Sequence, residues 1–344
     1  MKIEVESIQI ETAHPFRIAR GTRKVYEVFI VSLTHEGHTG LGEAAPQPFY
    51  GESPMTVRAA VNGIGRMLDA DPEDVRARLA RPDSDLGRLL APHASVRAAL
   101  DMALWDLRGQ RENVPVWKLI GADPEDAPLT SFTIGFDTPD VVDAKVDAAA
   151  PYKILKVKVG IPGDMEILER VQKRSGKLVR VDANEGWDLD TAVERTTELH
   201  RHRVEFCEQP LPHANEDDLR ELKRVSPLPV ILDESIVGPA EVARCHDQGH
   251  GINIKLMKCG GITPALEMVR IARERGLSIM IGCMIETSLG ITAAAHVSPL
   301  CNYADLDGNL LLKEDPFAGV TVREGRLVLP ERPGLGVTRR ATPE

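Results

Sequence analysis

Cysteine is scarce in this chain and poorly placed for pairing or metal capture. Five occur in 344 residues (Cys207, Cys245, Cys259, Cys283 and Cys301), an odd number with no C-x-x-C spacing, which argues against a disulfide framework and a structural zinc site. Long apolar runs are missing as well. None approaches the roughly 20 residues of a membrane-spanning helix, and the opening Met1-Lys2-Ile3-Glu4-Val5-Glu6 lacks the apolar core of a secretory signal. These gaps predict a soluble, cytoplasmic protein with no membrane partner. Positive charge is in deficit: 42 Lys and Arg face 52 Asp and Glu, a net charge of −10, and no Lys/Arg run builds a basic patch. A nucleic-acid partner is therefore not expected. No G-x-G-x-x-G follows the first strand-like segment, which counts against a dinucleotide fold.

What the chain does have is length and apolar content. Hydrophobic residues make up 42% and charged residues 27%, enough for a large core, and the length suits a barrel of about 250 residues plus a smaller partner. Up to about residue 125, the pattern is α+β. Ile3 to Ile10 alternates apolar and polar residues, Val25 to Leu33 is β-branched and aromatic, and Glu36-Gly37-His38-Thr39-Gly40 turns that strand into a third ending near Glu43. Helical periodicity follows over Met55–Leu68 and Ser95–Arg108, with Ser95 as the expected N-cap and Gly109 as the stop.

From Leu129 the pattern becomes strand, loop, helix, repeated. Apolar runs recur at Leu129–Ile134, Ile154–Val159, Leu178–Val181, Val204–Cys207, Val230–Leu232, Ile252–Ile254, Leu277–Ile281 and near Tyr303. Amphipathic stretches such as Asp164–Arg174, Leu189–His200 and Pro264–Arg275 lie between them. Eight strands alternating with helices imply a parallel sheet. The expected fold is α/β, a (β/α)8 TIM-type barrel over residues 126–319. An α+β capping domain over 1–125 precedes it, completed by a returning segment, 320–344, whose strand-like piece is Arg326–Leu329. An open doubly wound sheet is the alternative.

The strand ends carry the chemistry. Successive runs close on Lys156-Val157-Lys158, Asp182, Glu208, Asp233 and Lys255, spaced by about 22–26 residues, the length of one βα unit. A barrel brings all of them to its C-terminal mouth, where barrel enzymes keep their active sites. Asp182, Glu208 and Asp233 become carboxylates on adjacent strands that repel without a counter-ion, and three hard oxygen donors suit Mg²⁺. Taken singly, each would be an ordinary rim acid. Lys156 and Lys158 share a strand face, and Lys255 lies nearly across the barrel. A cation and a second ammonium nearby would lower a lysine pKa and free a general base.

As a set, Lys156-x-Lys158, Asp182, Glu208, Asp233 and Lys255 resemble the enolase superfamily, muconate-lactonizing subgroup, over nearly the whole chain, including the capping domain and its Gly51 loop. The resemblance implies one Mg²⁺ per subunit on the three acids, Lys158 and Lys255 as the catalytic pair, and Lys156 assisting the metal-bound carboxylate. Lys258, beyond the strand end, competes with Lys255. Bases on both faces of a carbon make racemisation or epimerisation the natural outcome, whereas elimination or cycloisomerisation needs one.

Strand eight ends Asp305-Leu306-Asp307-Gly308, a pair of carboxylates suited to an ammonium group, or else an ordinary turn pair. The pair is similar to the D-x-D of dipeptide epimerases, where it holds the peptide's amino terminus. Asn253–Ile262 and Gly282–Gly290 resemble that family too. The resemblance implies that Thr133 and the backbone near Ile285 help seat a dipeptide; Thr133 could equally satisfy a neighbouring carbonyl. The loop Pro15-Phe16-Arg17-Ile18-Ala19-Arg20-Gly21-Thr22-Arg23 is similar to that of epimerases acting on L-Ala-D/L-Glu, in which an arginine pairs with the glutamate side chain. Arg20 is favoured, Arg23 follows, and a solvated basic loop is the plain alternative. Phe49 and Tyr50 read as an apolar wall over the site or as capping-domain core. His246 and His250, four apart, lack an acid to complete a zinc motif.

Other readings stay open. N-acylamino acid racemases, muconate cycloisomerases and o-succinylbenzoate synthases share the metal and lysine set, but their substrates carry no free ammonium for the D-x-D pair. A Schiff-base lyase would use a barrel lysine without metal, and a non-catalytic Mg²⁺-dependent binding protein would need no second base. The sequence leaves monomer or homo-oligomer undecided.

Overall fold

The structure, a computed structural model, describes residues 1–341; the last three residues of the expected 320–344 segment lie outside them. Three strands, β1 (Lys2–Ile18), β2 (Gly21–His35) and β3 (His38–Ala44), form an antiparallel sheet in that order. Glu36 and Gly37 both have positive φ (48° and 81°), the twist-matched turn that the Gly37 position requires between the paired His35 and His38. The first hairpin is longer than the apolar alternation suggests. Its register slips between Glu11 and Phe16 and resumes at Phe16–Arg23, so the tip flares away from the sheet and carries Phe16, Ile18 and Arg20 with it.

Five helices follow: α1 (Pro54–Ile64), α2 (Pro72–Ala80), α3 (Asp85–Leu90), α4 (Ala94–Glu112) and α5 (Val116–Leu119). The expected Met55–Leu68 helix ends as α1 at Ile64 and tightens into a 3₁₀ turn over Gly65–Leu68. In α4 both expected end signals are corrected. His93 holds the N-cap position, and Ser95 lies inside the helix, where its amide and hydroxyl donate to Glu52 Oε1 at 3.0 and 2.9 Å. A carboxylate from another segment thus does the capping. Gly109 does not stop the helix: a β-carbon there would sit 2.5 Å from Gly334 Cα, so this glycine serves close approach. The helix ends at Asn113 in the left-handed region, φ 56°.

The barrel strands are β4 (Phe132–Ile134), β5 (Ile154–Lys158), β6 (Leu178–Asp182), β7 (Cys207–Glu208), β8 (Val230–Leu232), β9 (Gly251–Lys255), β10 (Ser278–Gly282) and β11 (Tyr303–Asp305). Between them run α6 (Pro139–Ala148), α7 (Asp164–Ser175), α8 (Leu189–Arg201), α9 (Glu216–Val225), α10 (Pro239–Arg244), α11 (Leu256–Cys259), α12 (Ile262–Glu274) and α13 (Ser288–Val297). All eight strands are parallel and neighbours in sequence order. A parallel bridge between Thr130 and Ala304 brings the ends together, so the sheet is a nearly closed barrel of the TIM type. β7 is shorter than the Val204–Cys207 run predicts, and pairing includes Glu208.

Barrel-facing residues alternate along each strand. Phe206, Ile231, Met280 and Tyr303 form an apolar cluster at the strand starts; the charged strand ends lie above it. The tail adds β12 (Phe317–Ala318), β13 (Thr321–Arg323), β14 (Arg326–Val328) and β15 (Thr338–Arg339). Within the segment 320–344, expected to return to the capping domain, the strand-like piece stays at the barrel. β14 pairs with β13 as a hairpin whose Gly325 carbonyl accepts from Thr130 N at 2.8 Å, at the entrance to β4. The later residues reach the cap instead: Leu335 N donates to Asp106 Oδ1 at 2.8 Å, and Arg339 pairs with Glu6 at 2.6 Å. Among the described residues no helix is long and apolar enough to cross a membrane.

Candidate active site

A cleft opens between the barrel mouth and the flared hairpin tip. It is lined by Lys156 and Lys158 from β5, Asp233 and Glu234 after β8, Lys255 from β9, Cys283–Ile285 after β10, and Asp305 and Asp307 from the end of β11. Thr133 of β4 and Asn184 also face it, while Phe16, Ile18, Arg20, Tyr26, Phe49 and Tyr50 roof it. β5 and β9 stand four strands apart in a ring of eight, so Lys158 and Lys255 occupy opposite walls.

The acids and lysines are interlocked. Lys156 Nζ lies 3.0 Å from Asp182 Oδ2, 2.6 Å from Glu208 Oε2 and 2.7 Å from Asp305 Oδ2. Lys158 Nζ donates to Asp182 Oδ2 at 2.6 Å and Asn184 Oδ1 at 3.2 Å, and Lys255 Nζ to Asp233 Oδ2 at 2.7 Å. Lys258 is buried away from the cleft, holding the Asp233 carbonyl at 2.6 Å and its Oδ1 at 2.5 Å. That placement separates it from Lys255, which faces the cleft. Among the described residues no three His, Cys, Asp or Glu side chains gather closely enough to cage an ion unaided, because ammonium groups stand between the three acids.

The electrostatics follow from this interlocking. Burial opposes the charge of Asp182, yet Lys156 and Lys158 outweigh it and hold its carboxyl below the usual range; Lys255 and Lys258 do the same for Asp233. Glu208, fully buried and facing Asp182, is pushed up to about 8. For Lys255, burial pulls the amine down, but Asp233 and Glu208 leave it above its ordinary value; the expected lowering was for an amine beside a bound cation. Without a competing cation, the acids hold the proton on the amine.

The donor set fits a hard divalent cation. Three carboxylates end adjacent strands, and Glu208 Oε2 is a buried acceptor without a hydrogen bond, since Lys156 approaches it off the bonding line. Its other oxygen is held by Asn253 Nδ2 at 2.7 Å. A carboxylate oriented through one oxygen, with the other facing an ammonium group, is what an ion of the Mg²⁺ type uses.

The two acids of strand eight are unequal. Both Asp305 oxygens are taken, by Ser131 Oγ at 2.5 Å and by Lys156. Asp307 Oδ2 accepts from Thr133 N at 2.6 Å, and burial with the neighbouring Asp305 pushes its carboxyl up to about 6. Thr133 therefore orients Asp307. Arg20 reaches the cleft, stacked over Phe49 with its guanidinium 2.7 Å from Glu234 Oε1 and 3.1 Å from the Asn184 carbonyl. Arg23 does not: its Nε donates to the Val25 carbonyl and it lies over Tyr26. Phe49 and Tyr50 line the cleft.

Sequence reasoning did not single out Asn184, Asn253 or Glu234 as site residues. Asn184 and Glu234 sit beside metal-ligand candidates in Asp182-Ala183-Asn184 and Asp233-Glu234, so their strand-end position was the available signal. Asn253 lies two residues before Lys255 on the same face of β9, and nothing in its local sequence shows that it meets Glu208 on another strand.

Comparison with known proteins agrees with the fold. Residues 2–121 match the mandelate racemase/muconate lactonizing enzyme N-terminal domain, and residues 140–342 the enolase C-terminal domain-like family. An L-Ala-D/L-Glu epimerase of Bacteroides thetaiotaomicron is 39% identical, over 94% of this chain and 84% of its own length. A substrate-liganded L-Ala-D/L-Glu epimerase from Bacillus subtilis superposes with a TM-score of 0.92 at 31% identity, covering 99% of this chain and all of that one. A dipeptide epimerase from Methylococcus capsulatus, complexed with Mg and L-Arg-D-Lys, gives 0.90 at 33% identity, covering 98% and 99%. This chain belongs to the enolase superfamily, in its mandelate racemase/muconate-lactonizing group, and is an isomerase of the epimerase kind.

Proposed function

We propose that the enzyme inverts the α-carbon of a dipeptide by passing a proton between Lys158 and Lys255, with one Mg²⁺ held by Asp182, Glu208 and Asp233. The observation that supports this reading is the pair of amines on opposite walls of a single cleft, β5 against β9. When bound, the ion supplies positive charge for the substrate carboxylate as it becomes an ene-diolate. Lys156, ringed by three carboxylates, adds a second fixed positive charge beside it. One lysine removes the α-proton and the other returns one from the opposite face, so configuration inverts.

Asp307 is the group available to the peptide's ammonium, because Asp305 is committed to Lys156 and Ser131. Thr133 keeps Asp307 in place and the backbone at Ile285 borders the peptide. Arg20 is the candidate partner for an acidic side chain, which makes L-Ala-D/L-Glu the substrate to try first; binding it would exchange the Glu234 contact for the substrate carboxylate.

The test is incubation of a dipeptide panel, L-Ala-L-Glu included, in D₂O with Mg²⁺, followed by mass spectrometry and chiral analysis. Expected are one deuterium at the inverted carbon and complete loss of exchange with chelator, restored by Mg²⁺. Exchange that survives chelation, or an adduct trapped by borohydride, would instead establish imine chemistry; no exchange across the panel would end the proposal.

A further inference from the structure

The wall formed by Cys283, Met284 and Ile285 is tied to the capping sheet by acids that the mechanism above does not use. Glu43, near the end of β3, is fully buried. It accepts from Thr287 N at 3.0 Å, Thr287 Oγ1 at 2.5 Å and Gly290 N at 3.0 Å. It therefore sits over the first turn of α13, where backbone donors and the helix dipole favour negative charge. Glu286, also buried, turns back on its own loop and accepts from Met284 N through Oε1 at 2.7 Å. The two carboxyls converge: a β-carbon on Gly290 would lie 2.3 Å from Glu286 Oε2 and 3.3 Å from Glu43 Oε2. Only glycine leaves room for both.

Two adjoining buried carboxyls cannot both carry charge without a large cost. Three donors stabilise the ionised form of Glu43, whereas Glu286 has one. We propose that Glu286 is a positioning residue for the peptide-binding wall: in its protonated form it pairs with ionised Glu43, fastens the capping sheet to the Cys283–Thr287 loop, and thereby sets KM. The inference rests on the dipeptide-epimerase reading for its kinetic consequence, but the pairing itself does not.

The surrounding charges agree with that division. Burial pushes Glu43 up to about 7 against its Thr287 and Gly290 donors, with Asp315 adding to the rise. Burial and then Glu43 push Glu286 up to about 8, and Lys255 only partly offsets them. Burial, and then the charges of Asp307, Glu286 and Asp305, push the neighbouring Cys283 thiol well up. Both carboxyls thus bind protons more tightly folded than at their ordinary 4.5. Their stabilising contribution is complete below about 4.5 and is lost as pH rises through about 7 to 8.

The experiment compares wild type with Glu286→Gln, Glu286→Ala and Glu43→Gln in KM, kcat and Tm from pH 5 to 9. Gln at 286 copies the protonated form, so it keeps the wild-type KM at pH 7 and flattens the alkaline fall in Tm. Ala at 286 raises KM about tenfold with kcat within about twofold. Gln at 43 turns an amide toward the Thr287 and Gly290 donors and lowers Tm most at and above pH 7, where wild-type Glu43 is ionised. Titration of the substrate's own ammonium affects all proteins alike, so only differences between them count. A Glu286→Ala enzyme with wild-type KM, or a Glu286→Gln enzyme as impaired as Ala, would overturn the proposal. If no dipeptide is turned over, the epimerase reading fails; the Tm profiles still decide the pairing, which a Glu286→Gln profile as steep as wild type would refute.

Discussion

On β6, Arg180 and Asp182 point into the same barrel two residues apart, yet they belong to different machines. Arg180, at the floor, has its guanidinium 5.2 and 5.1 Å from the Phe206 and Tyr303 rings, with Nε 2.7 Å from Glu205 Oε2 and Nη1 2.9 Å from the Ala304 carbonyl. Aromatic faces, a backbone carbonyl and one acid satisfy it, and none of these faces the cleft. Asp182, at the mouth, is balanced chiefly by Lys156 and Lys158, side chains that themselves border the cleft. Charge at the floor is locked by the fold. Charge at the mouth is balanced by groups that an ion or substrate can displace, and that exchangeability is what a catalytic site needs.

Breaking the mouth should cost activity far more than stability. Lys158→Ala or Lys255→Ala should reduce epimerisation by about 10³- to 10⁴-fold, while each variant still exchanges the α-proton of the one substrate epimer whose proton faces the remaining amine. Deuterium incorporation measured separately for the two epimers checks this, and equal residual exchange with both would contradict the opposed-wall geometry. Asp307→Asn should raise KM by about 10- to 100-fold, the loss of one charged partner of a buried ammonium, with Mg²⁺ affinity by calorimetry unchanged. In wild type, the same contact weakens as Asp307 protonates, so KM should climb as pH falls through about 6, and the Asn variant should lack that acid limb. The smallest kinetic effect belongs to the floor. Arg180→Met should lower stability by roughly 2–3 kcal/mol, toward the low end for a buried ion pair because Glu205 is partly exposed. Its kcat/KM should stay within about twofold. Denaturant melts and steady-state kinetics on one preparation would show whether floor and mouth separate in this way.

Much of the mouth could be read along the chain because each of its members terminates an apolar run. Lys158, Asp182, Glu208, Asp233 and Lys255 recur at the spacing of a βα unit, and a barrel converts that spacing into proximity. The ends of α4 could not be read in this way. Ser95 and Gly109 carry the usual local signals, but Glu52 from a preceding loop took over the capping and Gly334 pressed against Gly109. Similarly, Arg326–Val328 has strand character, but its partner turned out to be its own neighbour β13 at the barrel base. Local propensity describes an element; its partner is chosen by packing.

The same division runs through the chemistry. Alternation, helix periodicity and the residue closing each strand are short-range properties, so an (β/α)8 architecture with three acids and flanking lysines was present in the order of amino acids. Pairwise electrostatics and burial depend on distances between residues far apart in that order. Closure of the barrel gave Asp305 to Lys156 and Asp307 to Thr133, kept Lys258 out of the cleft, set Arg20 against Glu234, and brought Glu43 to Glu286 across 243 positions. Coulomb energy and desolvation act through space, and space between distant segments exists only after the chain has folded.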